Sequence, residues 1–262
     1  MTEKIRDDYY SIKMLSNSSL KNFLDYSPLK AWYLFKNGIK ETPALINGRA
    51  IHCVVLEPEV FDNEFMVMPP DINLRTKDGR AERDALLETG KTVLKGDQYK
   101  LAINIHDAVY NSPNCAKLLE GDPEVEFFTK FGDIEFKGKV DLINYEKGYV
   151  LDLKTTLDAR PEQFAKECIN RYYFMQAWVY REIARRNGHD IKNFIFIAVE
   201  KEPPFSKSII RVTDEQFEIG CAMFDEAMTR YKVALENENR DFDNRIYTVD
   251  TPAWLLKKWL GE

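Results

Sequence analysis

The sequence predicts an α/β domain in which a mixed β-sheet is flanked by helices, and two patterns carry that prediction. From Glu124 to Thr156 apolar and polar residues alternate, through Ile134, Phe136, Val140 and Leu142 and again through Tyr149, Leu151 and Leu153. This is the period-two signature of half-buried strands. Helical periodicity then runs over Pro161–Asn187 and is followed by a continuous apolar strand, Phe194–Glu200. A helix crossing from a β-meander to a further strand makes a mixed sheet.

In chain order, residues 9–12 (YYSI) read as a short edge strand. Ser16, Asn17, Ser18 and Ser19 offer oxygens to cap a helix from about Leu20 to Lys36, with Pro28 as a point of interruption and Asn37-Gly38 as its end. A second helix spans about Pro43–Leu56, closed by Pro58, and carries His52. Residues 69–98 are polar, rich in both charges and broken by Gly79, Gly90 and Gly96, so a mobile segment with a short helix near Ala81–Leu87 is expected. A helix over Asp97–Leu119 leads into the meander of three antiparallel strands. After Phe194–Glu200 come Pro203-Pro204, a strand over SKSIIRV, a helix over Thr213–Asn237 and a short tail helix with exposed Trp254 and Trp259.

At 262 residues the chain is read as one domain spanning 1–262, with enough length to bury a substantial core. Hydrophobic residues make up 44% and charged residues 31%, and no apolar run approaches the roughly 18 residues of a membrane span. The N-terminus, MTEKIRDDYY, lacks the apolar segment of a signal peptide, so a cytoplasmic location is expected. Cys53, Cys115, Cys168 and Cys221 are widely separated and suggest neither a zinc knuckle nor an iron–sulfur cluster. A net charge of −6 argues against coating nucleic acid by bulk electrostatics, but not against an enzyme whose basic groups converge locally.

The chemistry concentrates at the strand ends. Asp152 and Lys154 are two apart on one strand and share a face, with Leu153 between them facing the core. Asp141, on the preceding strand, can lie beside Asp152 across a turn at Asn144–Gly148. Two carboxylates that close repel unless a cation lies between them, and Mg²⁺, which prefers hard oxygen ligands, suits the pair. Lys154 can then hold an attacking oxygen or stabilise charge on a phosphate. The bland reading is a surface Asp-Lys ion pair of little energetic worth. His52 reads on helix pattern alone as a partly buried helix residue, and the basic cluster Arg75, Lys77, Arg80 and Arg83 as either a solvated loop or a reach over a phosphate backbone.

These residues resemble a known signature. Gly138-Lys-Val-Asp141-Leu-Ile followed by Val150-Leu-Asp152-Leu-Lys154-Thr-Thr is similar to the PD-(D/E)xK nuclease motif, in the branch that holds RecB-like and RecE-type exonucleases. Gly48-Arg49-Ala50-Ile51-His52 with Leu56-Glu57-Pro58, the segment Arg75–Glu82, and Gln176-Ala-Trp-Val-Tyr180 resemble further motifs of the RecE type, exodeoxyribonuclease VIII and its phage relatives. The first motif departs from a literal Pro-Asp, since Val140 precedes Asp141.

The resemblance implies a restriction-endonuclease-like core and a set of roles. Asp141, Asp152 and the carbonyl of Leu153 would ligate Mg²⁺, for which Mn²⁺ can substitute, with His52 joining from the facing helix. Lys154 would activate or orient the water, and Gln176 and Tyr180 would face the site, unless they are an ordinary helix–sheet packing pair. Arg49, Arg75 and Lys77 would contact DNA, and Glu126 and Glu57 are acidic partners or surface carboxylates. It further implies 5′-to-3′ degradation of one strand of linear duplex DNA, leaving 3′ single-stranded tails for recombination in a bacterial cell. Relatives form rings, commonly tetramers, and work beside a single-strand annealing protein. The other readings are a different nuclease of the superfamily, Cas4-like or RecB-like without a cluster or an endonuclease, and a catalytically silent DNA-binding protein.

Overall fold

A sheet of six strands separates two apolar cores, and Asp141 and Asp152 sit where two of its strands part. The computed structural model describes residues 9–73, 75–236, 246 and 248–261. The sheet contains β1 (Leu15–Ser16), and a second sheet pairs β2 (Phe65–Val67) with β3 (Thr92–Leu94) in parallel. The meander is β4 (Asp122–Phe131), β5 (Ile134–Asn144) and β6 (Tyr149–Thr156), followed by β7 (Asn193–Glu200) and β8 (Lys207–Arg211). Strand order is β1-β5-β6-β7-β8, with β4 on β5. β6 and β7 are parallel while β5–β6 and β7–β8 are antiparallel, so the sheet is mixed, as the crossover pattern predicts.

On one face the helices Asn17–Asp25, Pro28–Asn37, Pro161–Asn170, Tyr173–Arg186 and Asp214–Glu236 pack over Phe136, Val140, Val150, Phe194 and Phe196. On the other, Pro43–Leu56, Pro58–Glu64 and Gly96–Tyr110 cover Leu142, Leu151, Leu153 and Ile197. Each such side chain, when fully buried, contributes roughly 1.5–3 kcal/mol. Gly220 admits close contact between two helices of the first face: a Cβ there would lie 2.1 Å from the Phe174 carbonyl oxygen.

Several element boundaries differ from the sequence expectation. Residues 9–11 are helical rather than a strand, because the buried amine of Lys137 takes up the carbonyls of Tyr9 and Ile12. The expected helix Leu20–Lys36 is two helices. Pro28 opens the second, where its missing N–H is harmless, and the Ser27 side chain caps it. Pro113 likewise opens a separate helix, Pro113–Leu118, after Gly96–Tyr110. Pro161–Asn187 divides at Tyr172, which takes the left-handed conformation with φ 58°. In the polar segment 69–98 the helix is longer than expected, Lys77–Leu87, and is capped by Thr76. The reading of MTEKIRDD, and Asn237 as the end of the penultimate helix, lie outside the described residues. No helix among the described residues is long and apolar enough to cross a membrane.

Candidate active site

β5 and β6 hydrogen-bond only near their shared turn, through Leu142 with Leu151, Ile143 with Val150 and Asn144 with Tyr149. The ladder stops before Asp141 and Asp152, and the strands fork. Val140 packs in one core and Leu142 in the other, although residues two apart on a strand ordinarily share a face. β5 therefore rolls over at Asp141. The Asp141 carboxylate fills the fork, with Oδ2 accepting the Leu153 N–H at 2.9 Å.

His52 reaches the fork from the opposite layer. Its helix, Pro43–Leu56, is fixed at its start by the Thr42 side chain and by Pro43 in the first turn. The His52 Nδ1 stands 3.3 Å from Asp141 Oδ2. Burial works against charge on the imidazole, but the charge and hydrogen bond of Asp141 outweigh it and push the pKa up to about 9.

Glu124 completes a group that sequence reasoning missed. It stands opposite Asp141, between the pairs Pro123–Leu142 and Val125–Val140, with φ 53°. Its Oε2 pairs with Lys139 Nζ at 2.6 Å. One ligand atom each from His52, Glu124 and Asp141 lies within 4.8 Å of the others. Glu126, in register with Lys139, is one pleat further along β4. Glu57 ends the His52 helix and begins the next. The left-handed φ at Glu124, which interrupts the β4–β5 pairing within a continuous strand, leaves no mark in the sequence.

Asp152 is fully buried and approaches the fork from the other core. Its Oδ1 accepts Gln176 Nε2 at 2.7 Å. Its Oδ2 makes no well-aligned hydrogen bond, and the Lys154 ammonium lies against it. Burial, then the charge of Asp141, raises the Asp152 carboxyl to about 6 despite Lys154. For Asp141, burial is outweighed by His52, Lys154 and the Leu153 N–H, which hold the carboxyl below its ordinary value. A proton added to this pair thus sits on Asp152.

Lys154 stays an ammonium, because Asp152 and Asp141 overcome its burial and raise its pKa above the usual lysine value. The Tyr173 ring lies under it at 4.8 Å. Tyr180 is buried within hydrogen-bonding reach of Gln176, and burial, reinforced by Asp152 and Asp141, keeps its hydroxyl protonated. Gly138 lets this helix approach β5, since a Cβ there would meet Ile183 Cδ1 at 2.2 Å and Tyr180 at 3.7 Å.

The donor set fits a hard divalent cation. Two carboxylates, Glu124 and Asp141, converge with the His52 imidazole, and a buried oxygen of Asp152 lacks a well-aligned donor. The basic residues singled out from sequence lie further out. Arg49 pairs with Glu41 at 2.8 Å and donates to Thr92 at 2.6 Å. Arg75 and Lys77 are exposed on either side of the capping Thr76.

A search of curated proteins gives no match. Among solved structures, a crystal structure from Eubacterium rectale, described as a candidate exonuclease, has the same fold with a TM-score of 0.66. The two are 17% identical, and the alignment covers 100% of this chain and 98% of that one. A mixed sheet between two helical layers is the architecture of a PD-(D/E)xK, restriction-endonuclease-like core. The chain matches, over residues 16–242, the family described as a PDDEXK-like domain of unknown function (DUF3799), and it belongs to that family.

Proposed function

We propose that the protein is a Mg²⁺-dependent exodeoxyribonuclease of the RecE type, degrading linear duplex DNA from 5′ to 3′ and leaving 3′ single-stranded tails. The observation that carries the reading is the fork itself. Asp141 and Asp152 leave the ladder together, and Lys154 is locked as a cation against Asp152.

In this reading Asp141, Asp152, Glu124, His52 and the carbonyl of Leu153 hold the cation, for which Mn²⁺ can stand in. Bound Mg²⁺ supplies Lewis-acid polarisation of the scissile phosphate and a nucleophile at neutral pH. Lys154, held protonated, places positive charge where charge grows on the phosphate. Gln176 fixes the Asp152 carboxylate through Oδ1, and Tyr180 is buried within hydrogen-bonding reach of Gln176. Arg49, Arg75 and Lys77 are the proposed contacts to the DNA backbone. A ring-shaped homo-oligomer, a single-strand annealing partner and a cytoplasmic location in a bacterial cell complete the proposal.

The test is digestion of end-labelled linear, closed circular and 5′-phosphorylated DNA, with and without Mg²⁺. Mononucleotide release from linear duplex, dependent on the cation, is the expected result. Rapid cutting of closed circles would replace the exonuclease reading with an endonuclease.

A further inference from the structure

Beside the carboxylates stands an aromatic ring that the chemistry above leaves unused. Tyr10 is 68% exposed, yet its ring is held on two sides. It meets Tyr9 edge-on, with centroids 5.3 Å apart and planes at 87°. The Lys139 ammonium lies 5.3 Å from its centre. That same ammonium pairs with Glu124 at 2.6 Å, and Glu124 belongs to the cation group. Tyr10, Lys139 and Glu124 thus form a continuous line into the site.

The segment bearing the ring is firmly anchored. Tyr9 is buried, and its carbonyl and that of Ile12 accept from Lys137 Nζ at 2.5 and 2.7 Å. The Lys137 ammonium also lies 4.3 Å from the centre of the Tyr9 ring. Burying an ammonium is unfavourable unless it is bonded, and here its bonds are spent on fixing the backbone on either side of Tyr10. Lys137, Lys139 and Asp141 alternate along β5. From the ring centre it is 5.3 Å to the Lys139 ammonium, 2.6 Å on to Glu124, and no more than 4.8 Å between the ligand atoms of Glu124 and Asp141, which puts the ring on the order of 10 Å from the Asp141 carboxylate, about three base steps of duplex DNA.

Resting on the nuclease reading, we propose that Tyr10 is a substrate-positioning residue whose ring stacks on a nucleobase unpaired from the DNA end held over the carboxylates. Stacking suits an enzyme that must accept every base in turn, because each base presents a π-face whatever its hydrogen-bonding edge. A ring fixed by Tyr9 and Lys139 performs this with little loss of freedom on binding.

The experiment compares the full-length protein with Tyr10→Ala and Tyr10→Phe on linear duplex carrying 2-aminopurine near its 5′ end. Steady-state digestion in Mg²⁺ gives KM and kcat, and fluorescence in Ca²⁺ reports stacking. Tyr10→Ala is expected to raise KM about tenfold, with kcat nearly unchanged, and to abolish the stacking signal. Tyr10→Phe is expected to keep both. Tyr10→Ala with the KM and fluorescence of an active parent protein would overturn the stacking role and leave the nuclease reading standing. A parent protein that neither binds nor digests DNA would overturn both.

Discussion

Asp141 accepts the backbone N–H of Leu153 at 2.9 Å, so a side chain does on β5 what backbone does in an unbroken ladder. Asp141→Asn keeps an acceptor there and is expected to lose activity at least about a hundredfold, and above pH 9, where the pairing with His52 no longer contributes, to retain the stability of the parent. Asp141→Ala leaves the Leu153 N–H unpaired and should cost about 1–3 kcal/mol as well. Denaturant titration of the two variants separates these effects. Equal stability of Asn and Ala would mean that the bond holds nothing together.

The titration of His52 provides a second check. Its pKa in the metal-free protein lies near 9, above the ordinary value of 6.5. The stabilisation from its pairing with Asp141 is therefore complete below pH 6.5 and is lost as pH rises through 9. Imidazole NMR signals followed from pH 5 to 10 should show this raised midpoint, and Asp141→Asn should return it toward 6.5. A midpoint at or below 6.5 in the parent protein would contradict the pairing.

Asp152→Ala and Lys154→Ala are each expected to abolish Mg²⁺-dependent digestion of linear duplex, by at least about a thousandfold, while the folded structure persists. Circular dichroism and end-label release are the measurements. Undiminished activity in purified Asp152→Ala protein would sink the mechanism.

Because the carboxylates repel one another without a cation, adding Mg²⁺ should raise the thermal midpoint of the folded protein, and chelation should reverse the shift. Glu124→Gln should shrink that Mg²⁺-induced rise, whereas Glu126→Gln should leave it in place. A Glu124→Gln response identical to the parent's would remove Glu124 from the cation group.

Gly220→Ala would drive a methyl group against the Phe174 carbonyl, and backbone yields less readily than a side-chain tip. A loss of about 1–3 kcal/mol in unfolding free energy is expected. A neutral result would show that the two helices have room to separate.

The parts of this site that were legible in the sequence are those written in periodicity. The alternation through Tyr149, Leu151 and Leu153 placed Asp152 and Lys154 on one face, and Pro43 with the following apolar residues framed the helix of His52. What stayed hidden depends on single backbone angles. Tyr172 breaks a helix at φ 58° without a glycine or proline to announce it, and Glu124 breaks the pairing of β4 with β5 at φ 53°. That second break distinguishes Glu124 from Glu126, which look alike in the sequence. The roll of β5 was also invisible, because Val140 and Leu142 alternate as though they shared a face and yet lie in different cores.

The two cores have a consequence for how the protein fails. His52 sits between Ile51 and Cys53 of one core, and Gln176 between Met175 and Ala177 of the other. The site is thus a rivet driven through the sheet, with its head in one layer and its tail in the opposite one. A void opened at Ile105 or at Phe224, each remote in sequence from every carboxylate of the site, would loosen that rivet from its own side. Cation affinity would then fall while most of the molecule remained folded, so that binding at the site would register a packing defect in either layer.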